Sequence, residues 1–537
     1  MPSVEASGEN LTCDVLVVGA GPTGMTAAAL LAARGLDGIV LERRLSTSEA
    51  PTAISLDDEA LRSYQQAGIA DDVLSIIVPG TGTRYYDADN RAVFQARAAV
   101  PYRQGYPFKN PFAQPDLERV LREALDRHPL VRLKFGYTVE TLVQDANSAT
   151  VQAQSGDGAL SVTAQYVLGA DGGRSAIRSI LGIGMAGRSH SEVWLVTDML
   201  NDPHTERYGM HHGMPQRPHV IVPGMHGRCR YEFLLHPGEG EAGEDPPYEL
   251  IRDLVAPYRQ LAPSEVERAV NYQFHSVNAN AYRSGRAFLL GDAAHMMAPF
   301  AGQGLNSGLR DGANLAWKIA QVVDGTAPES ILDSYESERS PHALATIRLS
   351  ELLGRIVMTT SKRVAAYRDA AVARALATDQ GRHFFEEMRY RPRAHYRDGL
   401  VASLGAEELV GISIGQPRVF ETSSHRSLLL DDAVGNGWVL FGVGVDAADW
   451  DLVDSVSQLF LAGTFHIPLD DTMPQGLDGP EILLDLDGGL YREFEQYRGR
   501  FVLLRPDRFV AAAWVPEDTA SVLDVCSDWV DVPVTVS

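Results

Sequence analysis

Apolar positions along this chain come in two patterns, unbroken short runs and alternation, and each predicts a different kind of element. Val15 to Val18 is a fully apolar run of strand length. Met25 to Arg34 is rich in Ala and Leu and reads as a helix, and Ile39 to Leu41 reads as a second strand. The same buried-strand pattern recurs at Ala164 to Gly169, followed by a helix carrying Arg174 and Arg178. It returns at Ala287 to Leu290, followed by a loop of small residues and a helix that begins near Leu305. Buried runs alternating with helices predict an α/β protein built on a parallel sheet. Between 190 and 282 the pattern changes to strand segments at Val220 to Val222, Tyr231 to Leu235 and Val270 to Phe274, which predict a second sheet. Residues 345–400 are rich in Ala, Arg and Glu and read as helical. From about 401 the chain changes again. Arg426 to Gly444 reads as strand–turn–strand, and Phe501 to Trp514 as two strands about a polar turn.

The first strand runs into Gly19-Ala20-Gly21-Pro22-Thr23-Gly24, a GxGxxG turn opening a helix. Gly19 permits the tight turn, Gly21 lets a pyrophosphate approach the backbone, and Gly24 lets the helix pack closely on the strand. Pro22 and Thr23 begin a helix whose N-terminal N–H groups and dipole suit phosphate. Glu42, with Arg43 beside it, ends the second strand, where an acid suits a ribose hydroxyl pair. A second GxGxxG match at Gly182 to Gly187 lacks a preceding apolar strand and a following helix, so it is expected to be a loop. Two further strands end in acids, Asp171 and Gly291-Asp292. The loop after Asp292 places residues without bulk (Ala301, Gly302, Gly304, Ser307) just before a helix N-terminus. The glycine turn does not separate NAD from FAD; the two acid-terminated strands favour a ligand with a hydroxylated chain.

Composition narrows the partners. The chain has 537 residues, which suggests two to four domains. A formal net charge of −23 without a basic cluster argues against nucleic acid and against a membrane surface. Three cysteines, Cys13, Cys229 and Cys526, lie far apart with no CxxC pair, so neither a disulfide framework nor a zinc site is expected, and no metal. Residues 1–11 lack a basic start and an apolar stretch; they read as a flexible lead-in to a cytoplasmic protein.

These motifs together resemble the class A flavoprotein aromatic hydroxylases, the group that includes para-hydroxybenzoate hydroxylase. The resemblance implies a split Rossmann-like FAD-binding domain (12–75, 105–190 and 283–345), a mixed β-sheet substrate domain (76–104 and 191–282) and a helical segment (346–400). The tail (401–537) resembles the thioredoxin-like domain of phenol and polyketide hydroxylases. Without CxxC it would serve oligomerisation, as in a homodimer, or stability, or pack without a role of its own. In this family Asp292 and its neighbours would bind the FAD ribityl chain and pyrophosphate, and residues around Asp171 would help hold the pyrophosphate and nicotinamide cofactor. Helix N–H groups after Gly302, Gly304, Leu305 and Asn306 would face the flavin pyrimidine, and Pro299 would shape the wall beside the reactive carbon. Within "FAQPDLERVLREAL", Gln114 would contact FAD. Several segments, including "PTAISLDDEALRSYQQAGI" and "SYESERSPHA", resemble 3-(3-hydroxyphenyl)propionate hydroxylases, although Thr52 stands where those enzymes usually carry an arginine.

The resemblance implies that NAD(P)H reduces FAD, that O2 adds at the flavin C4a, and that the resulting hydroperoxide hydroxylates an electron-rich ring. His295 is a candidate base or a structural hydrogen-bonder. His211, His212, His219, Arg217, Tyr231 and Tyr272 are candidates near the substrate hydroxyl. The expected substrate is a small or medium phenol. Hydroxylation or Baeyer–Villiger oxidation of a polycyclic polyketide stays open, as does a non-catalytic flavin-binding scaffold.

Overall fold

The computed structural model describes residues 9–49, 52–80, 82–97, 100–156, 158–470 and 476–531. The chain divides into two compact units. The described residues of Met1–Ala99, Pro107–Gly312 and Ala343–Pro392 make one, and those of Val100–Tyr106, Ala313–His342 and Arg393–Ser537 the other.

The first unit holds two large sheets. In one, the order is Arg283–Ser284, Ala287–Leu289, Gly158–Gly169, Glu9–Val18, Gly38–Glu42, Val131–Phe135. From Ala287–Leu289 onward neighbouring strands run parallel. Val15, Leu16 and Val17 are at most 1% exposed, as expected for a strand covered on both faces. The register sets Val18 beside both Leu41 and Gly169, and Gly169 beside Leu289. The turns after all four strands therefore leave the sheet at one edge, the carboxyl edge where open α/β sheets bind ligands.

The flexible lead-in expected over 1–11 falls partly on residues 1–8, outside the described residues. Its last three residues are strand: Glu9, Asn10 and Leu11 pair with Leu160, Ser161 and Val162. The partner strand is twelve residues long, so the ladder extends beyond the apolar run that marks the strand in sequence. The loop expected at Gly182 to Gly187 is also corrected, because strand Met185–Met199 begins inside it. Gly187, at φ 134°, pairs with Val277, and a Cβ there would lie 2.1 Å from the Ser276 carbonyl oxygen. Its glycine serves close strand contact rather than a nucleotide.

The second sheet runs His295–Met296, Val266–Ala279, Met185–Met199, Cys229–Leu234, His219–Pro223, Gly209–His212, Thr83–Tyr86, Ala92–Ala96. It is antiparallel except where Gly209–His212 lies parallel to Thr83–Tyr86. Successive side chains point to opposite faces. One face packs Leu195, Ile221, Tyr231 and Phe233 with Ile251 and Val255 of helix Tyr248–Val255. Beyond the sheets, helices Ser334–Val357, Lys362–Leu376 and Asp379–Glu386 account for most of the segment expected to be helical, which turns irregular after Glu386.

The second unit carries a seven-stranded sheet. Strands Val439–Val443, Gly463–Ile467 and Glu481–Asp485 are parallel; Arg500–Leu504 and Val510–Trp514 continue it as an antiparallel hairpin. Within this unit Glu338 is fully buried and takes both Lys318 Nζ and Arg505 Nη1 at 2.7 Å. Those two cations hold its carboxyl down at about 2, against the burial that would raise it.

Candidate active site

At the carboxyl edge of the parallel sheet, facing the second sheet, lies a cavity of about 380 Å³. Its floor comes from the glycine turn (Gly21, Pro22, Thr23), Ala170, Gly172, Leu290 and Asp292, and one wall from Pro299, Phe300 and Gly302 to Leu305. The opposite wall is the second sheet, through Val196, Gly209, His211, Val220, Arg230, Glu232, Arg268 and Tyr272, among others.

The glycine turn passes a direct test for a dinucleotide-type cofactor. A Cβ on Gly24 would meet the Gly19 carbonyl oxygen at 2.0 Å, and one on Gly19, at φ 108°, would meet the Ala170 oxygen at 2.4 Å. A Cβ on Gly21 would meet nothing within 4 Å, because that position opens onto the cavity. Helix Pro22–Ala32 starts there with no side-chain cap on its N-terminal N–H groups. An uncapped helix start with room beside it is a ready anion site. Glu42 sits against this turn, accepting from the Ala20 N–H at 2.9 Å. Arg43 beside it is exposed.

Asp292 projects from the Gly291 turn, where φ is 59°. Its side chain is accessible from the cavity yet surrounded by protein, and that burial raises its pKa, opposed by nearby His295. The turn is held from behind by Asp311, whose Oδ2 accepts the Gly291 N–H at 3.0 Å and the His295 Nε2–H at 2.8 Å. His295 is fully buried in that pair and does not line the cavity, so it acts as the structural hydrogen-bonder rather than as a base.

Other expected residues are also redirected. The Asp171 carboxylate accepts from Ser175 Oγ at 2.5 Å and from the Ala176 N–H at 2.6 Å, so it caps helix Ala176–Ile180 while its neighbours Ala170 and Gly172 face the cavity. Gln114 lines the cavity, with Oε1 accepting from the Thr52 hydroxyl and from the Ala53 N–H at 2.8 Å. Thr52 thus steadies the glutamine instead of supplying a cation. Asn306 is 1% exposed and acts as a brace: it accepts the Asp57 N–H at 3.0 Å and donates to the Ser55 and Gly302 carbonyls.

The histidines separate by strand parity. His211 faces the cavity, and among the described residues its ring makes no hydrogen bond to protein. Burial, Lys109 and His212 together hold its pKa down at about 3. His212 and His219 lie on the opposite face, their rings stacked 4.3 Å apart. His219 Nδ1 donates to the Arg217 carbonyl at 2.7 Å, and its Nε2 accepts from Tyr258. Tyr231 is on the same outer face, donating to Asp202 at 2.9 Å. His219 and Tyr231 are therefore removed from the substrate side. Arg217 is paired with Glu239, while Tyr272 does reach the cavity.

Several cavity residues escaped the sequence reading. Arg230 binds Asp198 with two hydrogen bonds of 2.8 and 2.9 Å, and Arg268 lies 3.9 Å from the same carboxylate. Glu232, one position along the same face, has its carboxyl pushed up by burial and drawn back by Arg230. Lys109 enters from a turn at φ 63°. The signal available in sequence was the matching alternation of Val220/Val222, Arg230/Glu232 and Arg268/Val270/Tyr272.

Comparison with known proteins agrees with this geometry. A family model for the FAD binding domain matches residues 12–350, and one for the HcaD C-terminal domain matches 411–528. A 3-(3-hydroxy-phenyl)propionate/3-hydroxycinnamic acid hydroxylase from Mycolicibacterium smegmatis is 36% identical over 514 residues, 93% of this chain and 90% of that one. One from Burkholderia cenocepacia is 36% identical over 520 residues, 95% of each chain. Among solved structures, the flavin-dependent monooxygenase PieE in complex with FAD and substrate aligns with a TM-score of 0.78 at 21% identity, covering 97% of this chain and 99% of that one. Aklavinone-11 hydroxylase with FAD and aklavinone aligns at 0.76 and 23% identity, covering 96% and 98%. The structural likenesses speak for the fold, and the sequence relatives for the chemistry. Matched along nearly its whole length by such enzymes, and with an uncapped helix start opening onto the cavity at its glycine turn, the chain belongs to the FAD-dependent aromatic hydroxylases.

Proposed function

We propose that this enzyme hydroxylates a small phenol carrying an acidic side chain, with NAD(P)H as reductant and O2 as oxidant. The observation that carries the reading is His211, a buried imidazole open to the cavity and without a hydrogen-bond partner among the described residues. Held neutral, it is suited to accept the hydrogen bond of a phenol hydroxyl, and a phenol so polarised is the better nucleophile. Val196, Val220, Val270 and Phe274 give the ring an apolar surface beside it. Arg230 and Arg268 in the same cavity suit an acidic side chain, in keeping with the phenylpropionate named for the relatives.

FAD, when bound, supplies electron transfer from the nicotinamide and the activation of oxygen. The protein's share is orientation. Gly19 to Gly24 and Glu42 would take the pyrophosphate and ribose, Asp292 the ribityl hydroxyls, and Gly302 to Leu305 the pyrimidine edge. Pro299, without an N–H, would leave one wall free of competing hydrogen bonds. A volume of about 380 Å³ lies low in the range of roughly 300–1,000 Å³ for small-molecule sites. It has to accommodate a flavin ring as well as substrate, which favours one aromatic ring over a polycyclic polyketide.

On this reading residues 12–75, 105–190 and 283–345 bind FAD, 76–104 and 191–282 cover the substrate, and 401–537 form a thioredoxin-like module without a CxxC pair. Among the described residues no helix is long and apolar enough to cross a membrane. The test is NAD(P)H consumption in air by the FAD-loaded protein against a panel of phenols, phenylpropionates and polycyclic quinols. A many-fold rise with a phenol bearing a carboxylate, and a product heavier by one oxygen, is expected. Stimulation by polycyclic quinols alone would overturn the substrate class, and stimulation by none would overturn turnover of aromatic rings altogether.

A further inference from the structure

Lys109 is 9% exposed, lines the cavity, and among the described residues its ammonium makes no hydrogen bond or ion pair. A buried amine without a partner is costly, so its position calls for a ligand. The turn presenting it is rigid. The side chain of the next residue, Asn110, donates to the Leu56 and Pro107 carbonyls at 3.1 and 2.8 Å and accepts the Gly80 N–H at 2.8 Å. Ser55 and Leu56 pair with Pro111 and Asn110, and Asn306 in turn braces Ser55 and Asp57 against Gly302. Lys109, Ser55 and the Gly302 loop therefore form one frame. Within it, Lys109 Nζ lies 3.5 Å from the point where a Cβ on Gly302 would stand.

Gly302 is also the approach to helix Gly304–Val323, whose N-terminus carries the positive end of a twenty-residue dipole. Other charged side chains lie nearby. Arg310 pairs with Asp57 and Glu59, and Arg391 lies 4.2 Å over the Phe108 ring. Two positive features thus converge on one end of the cavity, and the carboxylate that acts on Lys109, Asp57, is already held by Arg310.

We propose that Lys109 is a cofactor-tuning residue: its ammonium, together with the N-terminus of helix Gly304–Val323, forms an anion site for the pyrimidine edge of reduced FAD. The inference rests on the FAD-dependent reading of this cavity and deepens it. Reduced flavin gains negative charge at N1 and O2, whereas oxidised flavin is neutral there, so a fixed cation favours the reduced form. The burial that makes the amine easier to deprotonate, lowering its pKa to about 8, leaves it mostly charged at neutral pH.

The experiment measures the two-electron midpoint potential of bound FAD, without substrate, in wild type, Lys109→Met and Lys109→Arg. The Met variant is expected to lose at least tenfold of the preference for reduced FAD, about 30 mV for a two-electron couple, and the Arg variant to retain most of it. If Lys109→Met fails to fold, Lys109→Gln takes its place. An unchanged potential would overturn the proposal. So would an unchanged potential accompanied by weaker binding of a carboxylate-bearing phenol, which would reassign Lys109 to the substrate. Because potentials are read without substrate, the outcome is independent of whether phenols stimulate NAD(P)H consumption.

Discussion

The two faces of the eight-stranded sheet are written by alternate residues of the same strands, yet they obey different rules. On the cavity face, His211, Glu232, Arg230 and Arg268 keep polar atoms where a ligand can reach them, and the cost of burying the two arginines is offset by one shared carboxylate, Asp198. On the outer face, most of these polar groups are tied to protein, although His212 Nε2 is buried without a hydrogen-bond partner. His212 and His219 stack with Tyr86 and Phe233, and His219 and Tyr231 spend their donors on Arg217 and Asp202. Asp202, His204 and Cys229 bring potential metal-ligand atoms within 4.8 Å of one another, but Asp202 also takes Tyr231 and Arg259. Identical residue types therefore do opposite work, and what separates them is a single step along the strand.

The largest effect should come from the cavity face. Asp198→Ala removes both close carboxylate hydrogen bonds of the buried Arg230 guanidinium, leaving Glu232 at 3.9 Å, and a loss of roughly 3–5 kcal/mol is expected, read as a fall in the urea midpoint. A loss below about 1 kcal/mol would mean that the pair is solvated and that the contrast between the faces is overstated.

Acid tests both faces, because burial holds down His211 on the cavity face as well as His212 and His219 on the outer one. Burial pushes the pKa of His212 down to about 3 and that of His219 to about 4, below the ordinary 6.5. The unfolded chain then binds protons below pH 6.5 that the folded chain refuses, so stability falls as pH drops towards those values. The slope is about 1.4 kcal/mol per pH unit for each histidine. Urea midpoints at pH 7.5, 5.5 and 4.5 measure it, and His219→Phe should flatten the slope. Equal midpoints across that range would show that the stack tolerates charge.

Next in size, His211→Ala should lower kcat/KM for the phenol by roughly ten- to a hundred-fold while leaving FAD affinity unchanged. His219→Ala should lower thermal stability with kcat/KM near wild type. If both variants lose kcat/KM alike, the parity assignment is wrong. The smallest effect belongs to Tyr231→Phe, which removes the hydroxyl donating to Asp202 and should cost about 1 kcal/mol of stability with no change in KM, checked by thermal melting and steady-state kinetics.

How much of this was legible depended on the distance over which the physics acts. The Gly19–Gly24 turn was readable because steric need and helix start sit within six residues. Asp171 was legible as a strand-end acid, but its contacts to Ser175 and Ala176 were not. The clue was Ser175, whose hydroxyl starts a helix at Ala176 and draws the carboxylate with it. His295 looked chemically available because its partner, Asp311, lies on the far side of a loop and inside a helix. Lys109 gave no local sign, since its importance arises from the pairing of Ser55 with Pro111 and the reach of Asn306.

Local constraints were carried by the chain without help: where buried strands run, where a turn admits only glycine, and where a helix opens towards a phosphate. These depend on backbone sterics and apolar content over a few residues. Which face each side chain of the second sheet serves was settled only by strand register and by the helix Tyr248–Val255 packed on one side. A one-residue slip exchanges the faces while leaving composition and periodicity unchanged, so the cavity's histidine, its paired arginine and its unpartnered lysine become visible only when distant segments are brought together.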